Sequence, residues 1–335
     1  MLQIAKALAD PIRLRLLAVL MQEPLHVSEL CDLLDLKQSR VSRHLGILAK
    51  AGLLITRRSG AYVYYRFNNL HKPLEKLLAA TGALNAEFGC LGWPVECESD
   101  HKELLGYLLQ RNRQNLEFFA NPSRIEQSAQ EAWVDSGWYG SRLADETPAG
   151  DALLFADLGC GDGRLSERIL LERPGLQMLC VDQSNHMLEQ ARLRLQGLDA
   201  HFRLGELQHL PLRDNEADGA ILSMSLHHVP QPDLVIAELK RVLRPGGLLL
   251  IAELMEHSAE LMRERYADFW LGFNAEQLQG WLQEFGFRVA SREQGRGHGQ
   301  LDCVVIKAVL EKERFNDATI GPGKGSRLAA AGRGV

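Results

Sequence analysis

"LLFADLGCGDGRLSERILLE", residues 153–172, decides the fold. Its first half reads as a buried strand and its second as a helix. Glycines at 159, 161 and 163 form the turn between them, where backbone can approach a ligand at a helix start. The alternation then continues through "LQMLCVD" (strand), "HMLEQARLRLQ" (helix), "AHFRLGE" and "DGAILSMSL" (strands) and "DLVIAELKRVL" (helix). The strands "LLLIAEL", "FRVASREQ" and "LDCVVIKAV" close the set. This pattern predicts a mainly parallel sheet with helices on both faces, whose ligands sit at the carboxyl ends of the strands.

The turn has Arg164 where a dinucleotide site would place its third glycine, which disfavours NAD. Asp157 and Asp162 put negative charge beside it, which suits a ligand carrying ammonium and sulfonium cations. Asp182 ends the next strand, where a carboxylate accepts both hydroxyls of a ribose. Glu206 follows the third strand, placed to approach an adenine, with Leu207 packing on the ring face. These residues together describe S-adenosyl-L-methionine. The candidate binding set is Asp157, Gly159, Cys160, Gly161, Gly163, Asp182, Gln183, Met187, Glu206, Leu207 and Ser223.

Residues 152–310 resemble the class I methyltransferases, especially the small-molecule UbiE-like group. The resemblance rests on "DLGCGDGRLS", "VDQSNHML", "LPLRDNEADGAILSMSLHHV" and "LKRVLRPGGLLLIAEL". It implies strand order 3-2-1-4-5-7-6 with the last strand antiparallel. Methyl transfer from a sulfonium is an in-line displacement that mainly needs alignment, so any base is secondary. His227 and His228 are the candidate catalytic acid/base residues. The strand end "SMSLHHVP" lacks the Asn/Asp-Pro-Pro-aromatic signature of amino-group methylases, and no Pro-Cys pair is present for attack on cytosine, which argues against nucleic-acid bases as acceptors.

The amino-terminal part has a different character. Residues 1–72 carry eleven Lys and Arg against five Asp and Glu, and residues 73–335 carry 27 against 38, within a formal net charge of -5. A basic piece ahead of an acidic remainder is expected where one part meets a polyanion. In "DPIRLRLLAVL", Ile12, Leu16, Leu17 and Leu20 recur at helical spacing, with Asp10 as N-cap and Pro11 in the first turn. "HVSELCDLLD" reads as a second helix, capped by Ser28, with Leu30, Leu33 and Leu34 inward. A third helix runs from about Gln38 to Lys50 and stops at Gly52. Two helices joined by so short a turn form a helix-turn-helix.

With Val41, Leu45 and Leu48 facing the core, Gln38, Ser39, Arg40, Ser42 and Arg43 project where a recognition helix meets base edges. "LLITRRSGAYVYYRF" reads as a hairpin turning at Ser59-Gly60, with Arg57 and Arg58 near its tip, placed for phosphate or a minor groove. Residues 5–67 resemble the winged-helix domain of ArsR-type bacterial repressors through "ALADPIRLRLLAVL", "VSELCDLL", "QSRVSRHLGILAKAGLL" and "RRSGAYVYYRF". The resemblance implies a homodimer on a double-stranded promoter operator, with dimer contacts from helices such as "HKPLEKLLAATGAL". Arsenic-sensing members place two cysteines one residue apart in the second helix, where this chain has only Cys31. A three-thiolate site would have to recruit Cys90 and Cys97, and nothing in the sequence requires it. No metal-ligand set is assigned.

The six cysteines form no CxxC pair, and Lys6, Asp10, Arg13 and Arg15 interrupt the apolar start, so neither a signal peptide nor a membrane span is read and the expected location is the cytoplasm. The expected organisation is a winged helix-turn-helix over 1–81, a helical linker and pocket-covering segment over 82–150, a Rossmann-like seven-stranded methyltransferase domain over 151–310, and a disordered tail over 311–335. Within 82–150, "HKELLGYLLQRNRQNLEFF" reads as an amphipathic helix with Leu104, Leu105, Leu108, Leu109 and Leu116 on one face. The functional reading is a regulator joined to a small-molecule methyltransferase. A repressor that senses S-adenosylmethionine or S-adenosylhomocysteine without turnover, and a pure enzyme using the winged helix to dimerise, stay open at this point.

Overall fold

The computed structural model describes residues 2–68, 96–119, 121 and 133–312. The expected dimer helix at 71–84, Cys90 and the tail beyond residue 312 lie outside them, as does the side chain of Leu116.

The first domain contains α1 (Leu2–Leu8), α2 (Pro11–Leu20), β1 (Leu25–His26), α3 (Val27–Leu34), α4 (Gln38–Lys50), β2 (Leu54–Ser59) and β3 (Tyr62–Phe67). Asp10 caps α2, its carboxylate accepting from Ile12 N at 3.0 Å and Arg13 N at 3.2 Å. The cap of α3 is His26 rather than Ser28. The His26 ring accepts from Glu29 N while Glu29 accepts from His26 N, so a reciprocal box satisfies two amide donors that one serine could not. Leu16, Leu17, Leu30, Val41, Leu45 and Leu48 share one fully buried core, with Leu33 only at its edge.

The helix α5 (Glu96–Phe119) extends from this core to the second domain. Leu104 is buried and Leu108 packs at the edge, but Leu105 is 45% exposed and Leu109 is 71% exposed. The expected five-leucine face is therefore split. Tyr107 takes the inward position, its hydroxyl donating to Glu29. Arg15 binds Asp100 through two hydrogen bonds of 2.6 Å, Arg111 pairs with Glu23, and at the far end Phe118 packs with Met262, Tyr266 and Leu271.

The second domain comprises α6 (Ser136–Glu146), β4 (Leu154–Leu158), α7 (Arg164–Glu172), β5 (Gln177–Asp182), α8 (Asn185–Arg194), β6 (Ala200–Leu204), β7 (Ala217–Ser223), α9 (Pro232–Val242), β8 (Leu243–Leu254), α10 (Leu261–Tyr266), α11 (Ala275–Glu284), β9 (Phe287–Gly295) and β10 (Cys303–Leu310). Its sheet runs β6-β5-β4-β7-β8-β10-β9, parallel except that β10 is antiparallel to both neighbours. This is the order expected from the motifs. Buried aliphatic residues on both faces of β4, β5, β7 and β8 explain why these strands read as continuous apolar runs. Among the described residues, no helix is long and apolar enough to cross a membrane.

Candidate functional site

At the carboxyl end of β4 the chain turns into α7 with Gly159, Gly161 and Gly163 at φ of +73, +55 and +80. The amides of Gly159 and Cys160 donate to Val181 O at 2.8 and 3.1 Å, fastening the turn to β5. A Cβ on Gly159 would collide with the Ser225 hydroxyl, whereas one on Gly161 would meet nothing within 4 Å. The Asp182 carboxylate accepts from Gly161 N at 2.9 Å and Ser184 N at 2.8 Å. Burial raises its pKa, and these amides oppose the shift. Each oxygen keeps lone-pair capacity for a further donor. Next to it lies a cleft of about 220 Å³ lined by Asn112, Gln183, Leu204, Gly205 and Glu206. A carboxylate fixed in orientation, an uncovered glycine and a second carboxylate, Glu206, lining the neighbouring cleft fit the ribose diol and base of S-adenosylmethionine.

Several expected residues sit elsewhere. Asp157 is 1% exposed beneath the turn, where it accepts from Ser166 Oγ at 2.5 Å, and burial raises its pKa to about 6. In this position it braces the start of α7 through Ser166. Asp162 is paired with Arg164 at 2.8 Å and Arg194 at 3.0 Å, which offsets its charge, and Glu206 is the carboxylate that lines the cleft. The side chains of Cys160 and Met187 are buried, and Leu207 packs against the sheet's main core. Ser223 pairs with the Tyr139 hydroxyl. Asn112 was not foreseen, because it comes from α5, a helix remote in sequence from every glycine or acidic signal.

Past β7, Leu226–His228 form a single 3-10 turn. Its first amides donate to Glu253 Oε2 at 2.9 and 3.3 Å, and His227 Nδ1 lies 2.5 Å from Glu253 Oε1. The other ring nitrogen, Nε2, faces Asp268 Oδ1 at 3.7 Å. Burial works against an imidazolium here, but Glu253 and Asp268 outweigh it and raise the His227 pKa to about 9. His228 is shifted well below the ordinary value by burial and by His227. Nδ1 of His227 is thus held by Glu253 within a buried cluster, while Asp268 stands off Nε2 at more than hydrogen-bonding distance. Neither Glu253, in a strand, nor Asp268, in a loop, carried a sequence signal for this role.

On the first domain, Gln38, Ser39, Arg40, Ser42 and Arg43 are all exposed on α4, opposite Val41, Leu45 and Leu48 at 0%. The hairpin departs from expectation. Arg58 is exposed, but Arg57 is inserted into the second domain, its guanidinium 3.9 Å from the Trp270 ring centroid, 4.4 Å from Phe273 and 5.3 Å from Trp281. Its Nη2 donates to Gly272 O at 3.2 Å, and burial lowers its pKa to about 9, so it stays charged at neutral pH. Around it, Arg66 pairs with Asp233 at 2.5 Å, Arg263 binds Ser59 Oγ at 2.5 Å and Tyr64 Oη at 3.1 Å, and Ala61 N donates to Glu260 at 2.7 Å. Gly60, at φ +57, lies so close that a Cβ would run into Glu260 and Leu271. Aromatic faces in the second domain draw a weakly hydrated guanidinium away from solvent.

Residues 10–56 match the model for bacterial regulatory proteins of the arsR family, and residues 156–251 match a methyltransferase domain. An uncharacterized 37.1 kDa protein in transposon TN4556 of Streptomyces fradiae is 36% identical over 137 residues, 40% of each chain. Demethylmenaquinone methyltransferase of Desulfitobacterium hafniense (strain Y51) is 27% identical over 146 residues, 42% of this chain and 56% of that protein. The chain thus spans about half the length of these curated relatives. Among solved structures, that of the [4+2]-cyclase SpnF superposes with a TM-score of 0.50 at 19% identity over 59% of this chain and 94% of that chain, a likeness of fold alone. Residues 10–56 thus carry a helix-turn-helix of the arsR-family type and residues 156–251 a methyltransferase domain.

Proposed function

We propose that the protein is a DNA-binding transcriptional regulator whose second domain transfers the methyl group of S-adenosyl-L-methionine to a small molecule in the cytoplasm. The observation that carries the enzymatic half is the Asp182 carboxylate, fixed by two backbone amides beside an open glycine, with its neighbour Gln183 lining a cleft together with Glu206. In this reading Asp182 accepts the ribose hydroxyls, Glu206 and Gln183 border the base, and Asn112 closes the cleft from α5. The bound cofactor supplies the electrophilic methyl group. The chain's task is to orient it and exclude water, and no protein base is required. His227 holds the acceptor side in shape through Glu253 instead of moving a proton.

For the regulatory half, α4 reads base edges with Gln38, Ser39, Arg40, Ser42 and Arg43, and Arg58 adds a phosphate contact. A homodimer would present two such helices about one turn of DNA apart, and the exposed Leu105 and Leu109 offer apolar surface for it. Asp182→Ala is the direct test. Charge-assisted hydrogen bonds contribute about 1.5–3 kcal/mol each, so loss of two predicts at least a roughly 100-fold weaker calorimetric affinity for S-adenosylmethionine. Methyl transfer from labelled cofactor into small molecules of a cell extract should fall in parallel. Equal affinity in the variant would remove the enzymatic reading.

A further inference from the structure

We propose that His227, His228 and Asp268 form a binding site for one divalent transition-metal ion of the zinc type, beneath the loop that grips the wing. Among the described residues they are the group of histidine, cysteine and acidic side chains close enough to share an ion, with donor atoms all within 4.8 Å of one another.

The geometry fits a cation better than a proton. Asp268 is 5% exposed, and neither of its carboxylate oxygens has a hydrogen-bond partner. Such a group is costly to bury. Its Oδ1 lies 3.7 Å from both His227 Nε2 and His228 Nδ1. A shared proton needs about 2.7–2.9 Å, so 3.7 Å is too long. Ligands about 2.0–2.1 Å from a tetrahedral ion lie about 3.3 Å apart, so small inward movements complete the site.

The surroundings are also those of a metal ligand. Glu253, 0% exposed, takes the Nδ1 side of His227 and leaves Nε2 toward Asp268, the carboxylate–histidine pairing that fixes a metal-binding tautomer. The partly exposed side chain of His228 offers a route of entry. Its Nδ1 contacts Ala267 O at 3.2 Å, a hydrogen bond that coordination there would replace. Two imidazoles and one carboxylate with a position left open suit zinc, cobalt or iron(II) over magnesium or calcium. The loop supplying Asp268 also donates Phe269 N and Trp270 N to His227 O at 3.0 and 2.9 Å, so the ion would lie directly behind the Arg57 cage.

The test uses the full chain stripped with EDTA and titrated with Zn2+ or Co2+. One equivalent should bind, with a rise in melting temperature and visible ligand-field absorption for Co2+. Asp268→Asn should weaken affinity at least about 100-fold, and Glu253→Gln about 10- to 100-fold. His228→Gln, at the exposed edge, gives a second ligand variant should Asp268→Asn fold poorly. Cys31→Ser with Cys97→Ser should bind as wild type. Affinity for S-adenosylmethionine, measured on the same Asp268→Asn sample, should be retained, which separates this proposal from the cofactor reading. No bound metal and no thermal shift in the wild type, or undiminished affinity in both ligand variants, would overturn it.

Discussion

Helix α4 and the β2–β3 hairpin are both basic and both belong to the helix-turn-helix domain, yet the fold treats them oppositely. Arg40 and Arg43 stand exposed on α4, while Arg57 and Arg66 of the hairpin are spent on the aromatic cage and Asp233 of the methyltransferase domain. Positive charge in a DNA-binding module therefore does not by itself say that a residue meets DNA. What decides is whether another surface offers desolvation and π faces that compete with phosphate.

The comparison breaks most severely if the core under α4 is removed. Leu45 is 0% exposed, and Leu45→Ala should cost about 2–5 kcal/mol in the first domain. Thermal unfolding should show this loss, and operator binding should fail while S-adenosylmethionine still binds. Gly60→Ala acts on the other side. Its left-handed backbone and the clash with Glu260 should cost about 1–2 kcal/mol and release the wing tip. Hydrogen exchange would report it as faster exchange of Ala61 N, with operator affinity unchanged or higher.

A further effect separates the second domain from the first by pH. Asp157 has a folded pKa of about 6 against 3.8 as the ordinary value. Folding therefore favours its protonated form, a contribution fully present below about pH 4 and lost as pH rises through 6. Asp157→Asn should flatten the stability profile over that interval, read by chemical denaturation at several pH values. An unaltered slope would mean the carboxyl is not held as described.

Much of this architecture was legible because its signals are periodic or local. The glycine turn at 159–163, the Asp10 cap and the Val41, Leu45, Leu48 stripe each follow from spacing along one element, whereas the sheet order is expected only from the resemblance to class I methyltransferases. What escaped depends on contacts between elements. Burial of Asp157 under its own turn, neutralisation of Asp162 by Arg194, Asn112 at the cleft, and capture of Arg57 by Trp270 join residues that no sequence period links. The outward turn of Leu105 and Leu109 has the same origin, since α5 rotates to give Tyr107 and Arg111 their partners on the first domain.

The claim that α4 reads DNA while the wing is held by the second domain is tested most directly by salt-dependent operator binding of wild type, Arg43→Ala and Arg57→Ala. Arg43→Ala should lose about 1–3 kcal/mol, roughly 5- to 150-fold, while Arg57→Ala stays within a few-fold of wild type with an unchanged salt slope. Equal weakening by Arg57→Ala, with the slope reduced by about one, would show the wing on the phosphate backbone and contradict the account.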